Sequence, residues 1–348
     1  MKAAIYNPYL DTLGGGERYT IEFCRVLSEI GYNVDIEWKN GEILKKISNR
    51  FGVKVPQNIK VVEDIKKGKD YDICFWVSDG SIPTLNARKN ILHFQVPFKN
   101  VNGSSLLNKM KLFRINDVIC NSRFTKSVID KEYGVDSIVL YPPIETRLFN
   151  PKRKENIILY VGRFSSLLQS KGQDVLVNTF KKLYDFKSSK DYGNKSWKLV
   201  LAGGVEVGSS ELLYKLKLMV DNYPIEIVES PKFKELQALY GKAKIFWSAS
   251  GFGVDQNKNP EKVEHFGMTV VEAMSAGVVP VITSNGGHLE IVSSGKNGYL
   301  WHNEQDLLDL TTKLINEKGL LSKLSKSAKI SSQNFGKEVF KKNIEEIL

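Results

Sequence analysis

Two carboxylates separated by seven residues, Glu264 and Glu272, frame the stretch best suited to chemistry. Glu264 stands in a charged loop with Glu261, Lys262 and His265. Glu272 falls inside Met268–Ala276, a run of good helix formers that is apolar nearly all round and so belongs in an interior. A carboxylate buried there without partners would cost several kcal/mol or stay protonated, so something specific must meet it. A helix starting near Gly267 puts one acid at its entrance and the other about one and a half turns inside, roughly 8 Å along the axis. The free amides of Phe266, Gly267, Met268 and Thr269 would point outward there with the positive end of the helix dipole, where an anion is welcome. Two hydroxyl-binding acids flanking a phosphate-binding helix end suit a sugar nucleotide. A blander reading stays open on these residues alone: a solvated loop charge at Glu264 and a core carboxylate at Glu272 paired with a lysine.

The surrounding elements must position this pair. Gly277 closes the helical run, and the β-branched Val278–Thr283 follows as a buried strand. Strands alternate with helices from the start: Lys2–Tyr6, Val34–Trp38, Ile59–Val62, Ile73–Val77, Ile91–Gln95, Val118–Asn121 and Ile138–Tyr141, then Ile157–Val161, Trp197–Ala202, Ile225–Glu229 and Ile245–Ser248. That order predicts an α/β fold, with parallel sheets covered by helices on both faces. Between the two series, Pro142-Pro143 and the polar Asn150–Asn156 mark a hinge at about Pro143–Glu155. The expected domains are 1–145 and 155–334, the former completed by a helix over 335–348. Lys313–Leu348 reads as amphipathic helix, with the last helix at about Phe335–Leu348.

The first strand leads into Leu13-Gly14-Gly15-Gly16-Glu17-Arg18, a Gly-rich loop before a helix that runs to about Ile30. Such a turn can cradle phosphate, but the dinucleotide fingerprint fails because its third glycine falls at Tyr19. His93 lies in an apolar strand, where a hydrogen-bonded core histidine competes with a ligand contact at the strand's carboxyl end. Asp70-Tyr71-Asp72 has the look of a metal-binding D-x-D, yet it directly precedes a strand and reads as a solvated turn. Arg163 leaves the carboxyl end of a buried strand and Lys171 precedes a helix. Two fixed cations there would steady a departing diphosphate.

The frame EHFGMTVVEAMSAGVVPVI resembles the E-x7-E signature of retaining glycosyltransferases of family four, which have the GT-B fold of two Rossmann-like domains. FGVDQNKNPEKVEHFG is similar to the branch of dolichol-linked α-1,2-mannosyltransferases and their prokaryotic relatives. The resemblance implies transfer of a hexose from a nucleoside-diphosphate sugar to a glycan or lipid-linked acceptor, with retention, no catalytic metal and no cofactor. It gives Glu264 and the Phe266–Thr269 amides the sugar and distal phosphate, and Glu272 the ribose. Arg163 and Lys171 stabilise the leaving diphosphate, over a longer loop than is usual. It also sets Gly15 and Gly16 beneath the diphosphate, His93 beside the donor sugar, Gly203 and Ser230 along the nucleotide, and Ser122 and Arg123 near the donor side. The rivals are a sugar-nucleotide epimerase of the same fold and a basic binding module without catalysis.

Composition sets outer bounds. The 348 residues suit two domains, and no apolar run reaches the ~18 residues of a membrane span. Three scattered cysteines favour a reducing compartment, hence a cytoplasmic protein, and no structural zinc. The net charge of +11 is spread, +5 over residues 1–150 and +6 over the rest. A lysine-rich solvated surface explains it first and an anionic membrane or a diphosphate substrate second. No nucleic-acid motif accompanies it.

Overall fold

The computed structural model describes residues 1–165, 171–188, 197–206 and 208–348. The chain begins β1 (Lys2–Tyr6), α1 (Gly15–Glu29), β2 (Asn33–Glu37), α2 (Glu42–Phe51), β3 (Ile59–Val62), β4 (Ile73–Val77) and β5 (Lys89–Phe94). It continues α3 (Leu106–Leu112), β6 (Asp117–Cys120), α4 (Arg123–Tyr133) and β7 (Ile138–Val139). A second series runs β8 (Ile157–Val161), α5 (Gln173–Ser188), β9 (Lys198–Gly203), α6 (Ser210–Met219), β10 (Ile225–Glu229), α7 (Phe233–Lys242) and β11 (Ile245–Ser248). After it come α8 (Met268–Ser275), β12 (Val279–Thr283), α9 (His288–Ile291), β13 (Tyr299–Trp301), α10 (Glu304–Asn316), α11 (Leu320–Ser332) and α12 (Lys337–Ile347). None of the described helices is long and apolar enough to cross a membrane.

The chain divides into two compact units, Met1–Pro143 with Lys337–Leu348, and Ile144–Gly336. The first holds a parallel sheet in the order β3-β2-β1-β4-β5-β6-β7. Its central strands are apolar on both faces, as helices on both sides demand. Tyr19, Phe23 and Phe75 form the heart of its core, and α12 seals that core with Phe340 and Ile344. Lys337 and Lys341 of α12 pair with Glu22 and Glu29 of α1, at 3.0 and 2.8 Å.

The second unit is a parallel sheet in the order β10-β9-β8-β11-β12-β13. Every residue of β8, β11 and β12 is buried. Trp247, Trp301 and Phe180 anchor its core. The carboxyl-terminal stretch is helical in separate segments, α12 among them close to the helix expected there. Gly319, with a positive φ of 84°, starts α11 afresh, and Gly336 separates α11 from α12.

Candidate active site

The second unit gathers the charged residues at the carboxyl ends of its strands, where parallel α/β sheets bind ligands. The helix carrying Glu272 begins at Met268, with Gly267 as its cap at φ 110°. Beside Gly267 pack His288 and Ile291, and a Cβ there would come within 3.2 Å of the imidazole. The amides of Val270 and Val271 turn back to the Gly267 carbonyl. Those of Gly267, Met268 and Thr269 have no hydrogen-bond partner among the described residues. Phe266 is buried and meets Phe335 edge-on at 5.3 Å. At the other end, Gly277 (φ 69°) closes α8 in the left-handed turn its type suggests.

Lys171 Nζ lies 2.9 Å from Glu264 Oε2, with 13% and 22% of the two side chains exposed. Thus the acid at the entrance of α8 is paired with the very lysine assigned to the diphosphate. Burial pushes the Glu264 carboxyl up, but the Lys171 ammonium, with help from His288 and His265, outweighs it and holds it down at about 2. The backbone of Glu264 is pinned from behind. Gly287 N–H donates to the Glu264 carbonyl at 2.8 Å, and a Cβ on Gly286 would stand 2.2 Å from that same oxygen. Gly286→Ala is therefore expected to cost about 1–3 kcal/mol and to displace Glu264. Gly295→Ala, at φ 77° with open space around it, incurs only the smaller backbone term. Thermal melts of the two variants check this, and equal losses would contradict it.

Glu272 is 6% exposed, and Tyr240 Oη donates to its Oε2 at 2.9 Å. Tyr240 sits in α7, within the Glu235-Leu236-x-x-Leu239-Tyr240 pattern. Lys154 joins the ends of α7 and α8 by donating to the carbonyls of Ala243 and Ala276, at 2.9 and 2.7 Å. A cation suits helix carboxyl ends. Burial lowers this ammonium to about 8. Tyr240 and Glu272 thereby sit on two helices held at a common anchor.

Arg163 leaves β8 with its side chain 53% exposed and pairs with Glu206. Most of the loop from Arg163 to Lys171 lies outside the described residues. Its two ends are nonetheless clamped by Gln173, which donates to the Arg163 carbonyl at 2.9 Å and to Tyr160 Oη at 3.3 Å. Gly203 is a glycine because its own chain crowds it: a Cβ would lie 1.8 Å from the Gly162 carbonyl oxygen. Ser230 donates its amide to Gly203 at 2.7 Å and adopts φ 47°, an uncommon conformation outside glycine.

In the first unit several expectations change. Gly15 and Gly16 are not in a loop but in the first turn of α1. Glu17 draws the helix start forward by accepting from Gly14 N–H at 2.8 Å and from the Thr12 hydroxyl at 2.6 Å. Gly16 is closely covered by Gln95, which donates to its carbonyl at 3.1 Å. His93 is wholly buried, and its Nε2 has no hydrogen-bond partner among the described residues. It stacks on Tyr19 at 4.3 Å and on Phe75 at 5.3 Å, with Nδ1 3.2 Å from the Ile119 carbonyl. The strand is right but the side chain faces its apolar core. Gln95, two residues on, is the side chain that reaches the Gly-rich turn. Ser122 caps α4, accepting from Thr125 N–H at 3.0 Å, and Arg123 opens that helix. Asp72 accepts from Lys2 N–H and from Arg88, so the Asp70–Asp72 stretch is structural.

His288 went unnoticed in the sequence, where it is one lone histidine after a Gly-Gly pair. It is fully buried. Its Nδ1 lies 3.1 Å from the Thr283 carbonyl and 3.0 Å from Thr283 Oγ1, whose own hydrogen goes to Ser250. Nδ1 is therefore the protonated nitrogen. Burial lowers His288 to about 4 and His93 to about 3. The unfolded chain protonates both from about pH 6.5 downward. Acid therefore favours unfolding, by up to about 1.4 kcal/mol per pH unit for each. Glu264 adds to this below about pH 4.3, since its carboxylate stabilises the fold above that value and the gain is lost as pH falls toward 2. Urea midpoints from pH 8 to pH 4 should decline from about pH 6.5, and less steeply for His288→Gln. A midpoint flat between pH 7 and pH 5 would refute the assignment.

With this geometry in view, the family is plain. The chain belongs to the glycosyl transferases group 1, whose model matches residues 145–331. Its two parallel sheets with their helices have the GT-B fold. Among solved structures, Anabaena HepE in complex with UDP and glucose superposes with a TM-score of 0.76 at 17% identity, over 100% of this chain and 99% of that one. A glycosyltransferase from Rickettsia africae gives 0.76 at 20% identity, over 99% and 97%. Among curated relatives, an uncharacterized glycosyltransferase of Methanocaldococcus jannaschii is 27% identical over 64% of this chain and 56% of its own length. The Dictyostelium discoideum alpha-1,3/1,6-mannosyltransferase ALG2 is 24% identical over 91% of this chain and 90% of its own. The Neurospora crassa GDP-Man:Man(3)GlcNAc(2)-PP-Dol alpha-1,2-mannosyltransferase is 29% identical over 51% and 34%. The match thus spans about half of the first of these relatives and about a third of the last.

Proposed function

We propose that the chain transfers a hexose, mannose or glucose by preference, from a nucleoside-diphosphate sugar to a hydroxyl of a glycan or lipid-linked acceptor, retaining the α configuration. The observation that carries this reading is the Lys171–Glu264 pair at the mouth of α8, beside three amides without partners among the described residues. Lys171 and Arg163 would face the diphosphate as the glycosidic bond breaks, meeting its growing charge with fixed cations in place of a metal ion. The Gly267–Thr269 amides would bind its distal phosphate and Glu264 a sugar hydroxyl. Glu272, steadied by Tyr240, would take the ribose hydroxyls, and the turn from Gly203 to Ser230 would border the nucleotide. No protein nucleophile is assigned: the leaving phosphate accepts the acceptor's proton on the face it vacates. The reading needs no cofactor. Its support from relatives is that HepE was solved with UDP and glucose and that ALG2 is a mannosyltransferase. A cytoplasmic site of action goes with it, and the unpaired thiols of Cys24, Cys74 and Cys120 suit a reducing compartment.

The experiment is a thermal-shift panel of UDP, GDP, ADP and their sugars on the full chain, followed by proton NMR of the product formed from the best donor. A shift with one nucleoside diphosphate and an α-anomeric product support the reading. A β-anomeric product would remove retention, and no shift with any nucleotide would remove the donor.

A further inference from the structure

One surface of the first unit is out of keeping with the rest. From Gly80 to Asn116 the sequence has no acidic residue and six lysines or arginines. Within that span α3 buries none of its side chains. Leu106 is 76% exposed, Leu107 and Met110 62%, and Phe113 90%. Leu106, Met110 and Phe113 follow the i, i+4, i+7 spacing of one helix face, with Phe113 at the carboxyl cap. Lys109 lies on one flank of this stripe, and Lys111 and Arg114 on the other. None of these three has a carboxylate partner among the described residues.

The base of this projection is firmly held. Glu132 accepts from the amides of Asn100, Val101 and Gly103, at 3.0, 2.9 and 3.2 Å. Gly103 has no room for a Cβ, which would lie 2.7 Å from Tyr133, and Tyr133 Oη donates to the Gly80 carbonyl at 2.6 Å. Leu112 and Ile115 pack onto the core around Leu92, Phe94 and Tyr133. A frayed loop would scatter its apolar residues; here they stand bare on an anchored support.

We propose that α3 and Phe113 form a docking surface for an anionic lipid bilayer. Four large apolar side chains would enter the interface between headgroups and acyl chains, while Lys109, Lys111 and Arg114 reach lipid phosphates. The charge selects this occupant. A second copy of the chain would bring one cationic rim against another. A protein partner would have to supply both apolar and acidic groups, whereas an anionic leaflet supplies both everywhere. Docking of this kind would bring the enzyme to a lipid-linked acceptor, so the inference deepens the function proposed above. Its observations, however, are independent of the donor site.

The test is flotation of the full chain with vesicles of phosphatidylcholine, alone or with phosphatidylglycerol, without any sugar nucleotide, so that its failure is distinct from failure of transfer. Binding is expected to the anionic vesicles, to weaken with salt, and to be slight on phosphatidylcholine alone. The triple change Lys109→Gln, Lys111→Gln, Arg114→Gln should lower the partition about a hundredfold, from about 1 kcal/mol per basic residue. Met110→Ser with Phe113→Ser should lower it at least about tenfold. Because these side chains are exposed, Lys111 alone being half-buried, both variants should keep the wild-type melting temperature and donor-induced thermal shift. The proposal is overturned by no binding, by equal binding to both vesicle types, or by variants that bind like wild type. It is equally overturned if Phe113→Ser abolishes a lipid-free dimer in sedimentation instead.

Discussion

Lys171→Ala is expected to reduce the rate of glycosyl transfer about 10²–10³-fold, the usual effect of deleting one preorganised group aimed at developing charge. The ammonium is largely withdrawn from water and bonded to Glu264, so no solvent cation replaces it at little cost. The same change strands Glu264 as a partly buried acid without its strongest counter-charge, and its pKa rises from about 2 as a result. Lost activity could then reflect a loosened loop rather than lost chemistry. The double variant Lys171→Met with Glu264→Gln separates the two. It removes both charges together, which restores much of the stability, and, since Glu264 itself is assigned a sugar hydroxyl, it should leave transfer at least as slow as in the single variant. Thermal melts and single-turnover transfer on the three proteins give the answer. Recovery of rate with recovery of stability would show Lys171 to be structural only.

Glu272→Ala should weaken binding of the free nucleoside diphosphate by about 1.5–3 kcal/mol, or roughly 10- to 150-fold in Kd, because a charged hydrogen-bond acceptor is lost. Tyr240→Phe keeps the carboxylate but removes the hydroxyl that orients it, so it should cost less, about 0.5–1.5 kcal/mol. Calorimetry with the nucleotide found by thermal shift measures both. A 2′-deoxynucleotide supplies the internal control: it should bind wild type more weakly, yet bind Glu272→Ala about as well as the ribonucleotide does. If the ribo and deoxy forms differ equally in both proteins, Glu272 does not touch the ribose.

Why some parts of this molecule were legible in its sequence follows from where the information sits. Strands such as β4, β8 and β11 are short apolar runs between turn residues, and hydrophobic patterning alone sets their limits. The start and stop of α8 are also local, since Gly267 and Gly277 mark the two places where the chain takes a positive φ. The acids 264 and 272 stand out because an apolar helix has few reasons to carry one. His93 shows the limit. Its strand was readable, but which face its imidazole takes depends on Tyr19 and Phe75 from other elements. The same holds for Gly16 and Gly203. Each looks like a ligand-binding glycine in sequence, and each is closely approached by a distant part of its own unit. Gln173, Lys154 and His288 escaped notice because single polar residues carry no periodic signal. Their roles exist only once Tyr160, Ala276 and Thr283 have been brought beside them.

The central claim is that the entrance of α8 receives a glycosyl diphosphate. The most direct measurement is a crystal structure of the full chain grown with whichever nucleoside diphosphate raises its melting temperature. The account predicts phosphate oxygens within hydrogen-bond distance of the Gly267–Thr269 amides and of the Lys171 ammonium, with the ribose hydroxyls on Glu272. A nucleotide seated elsewhere, with the Lys171–Glu264 pair undisturbed and those amides facing water, would contradict it.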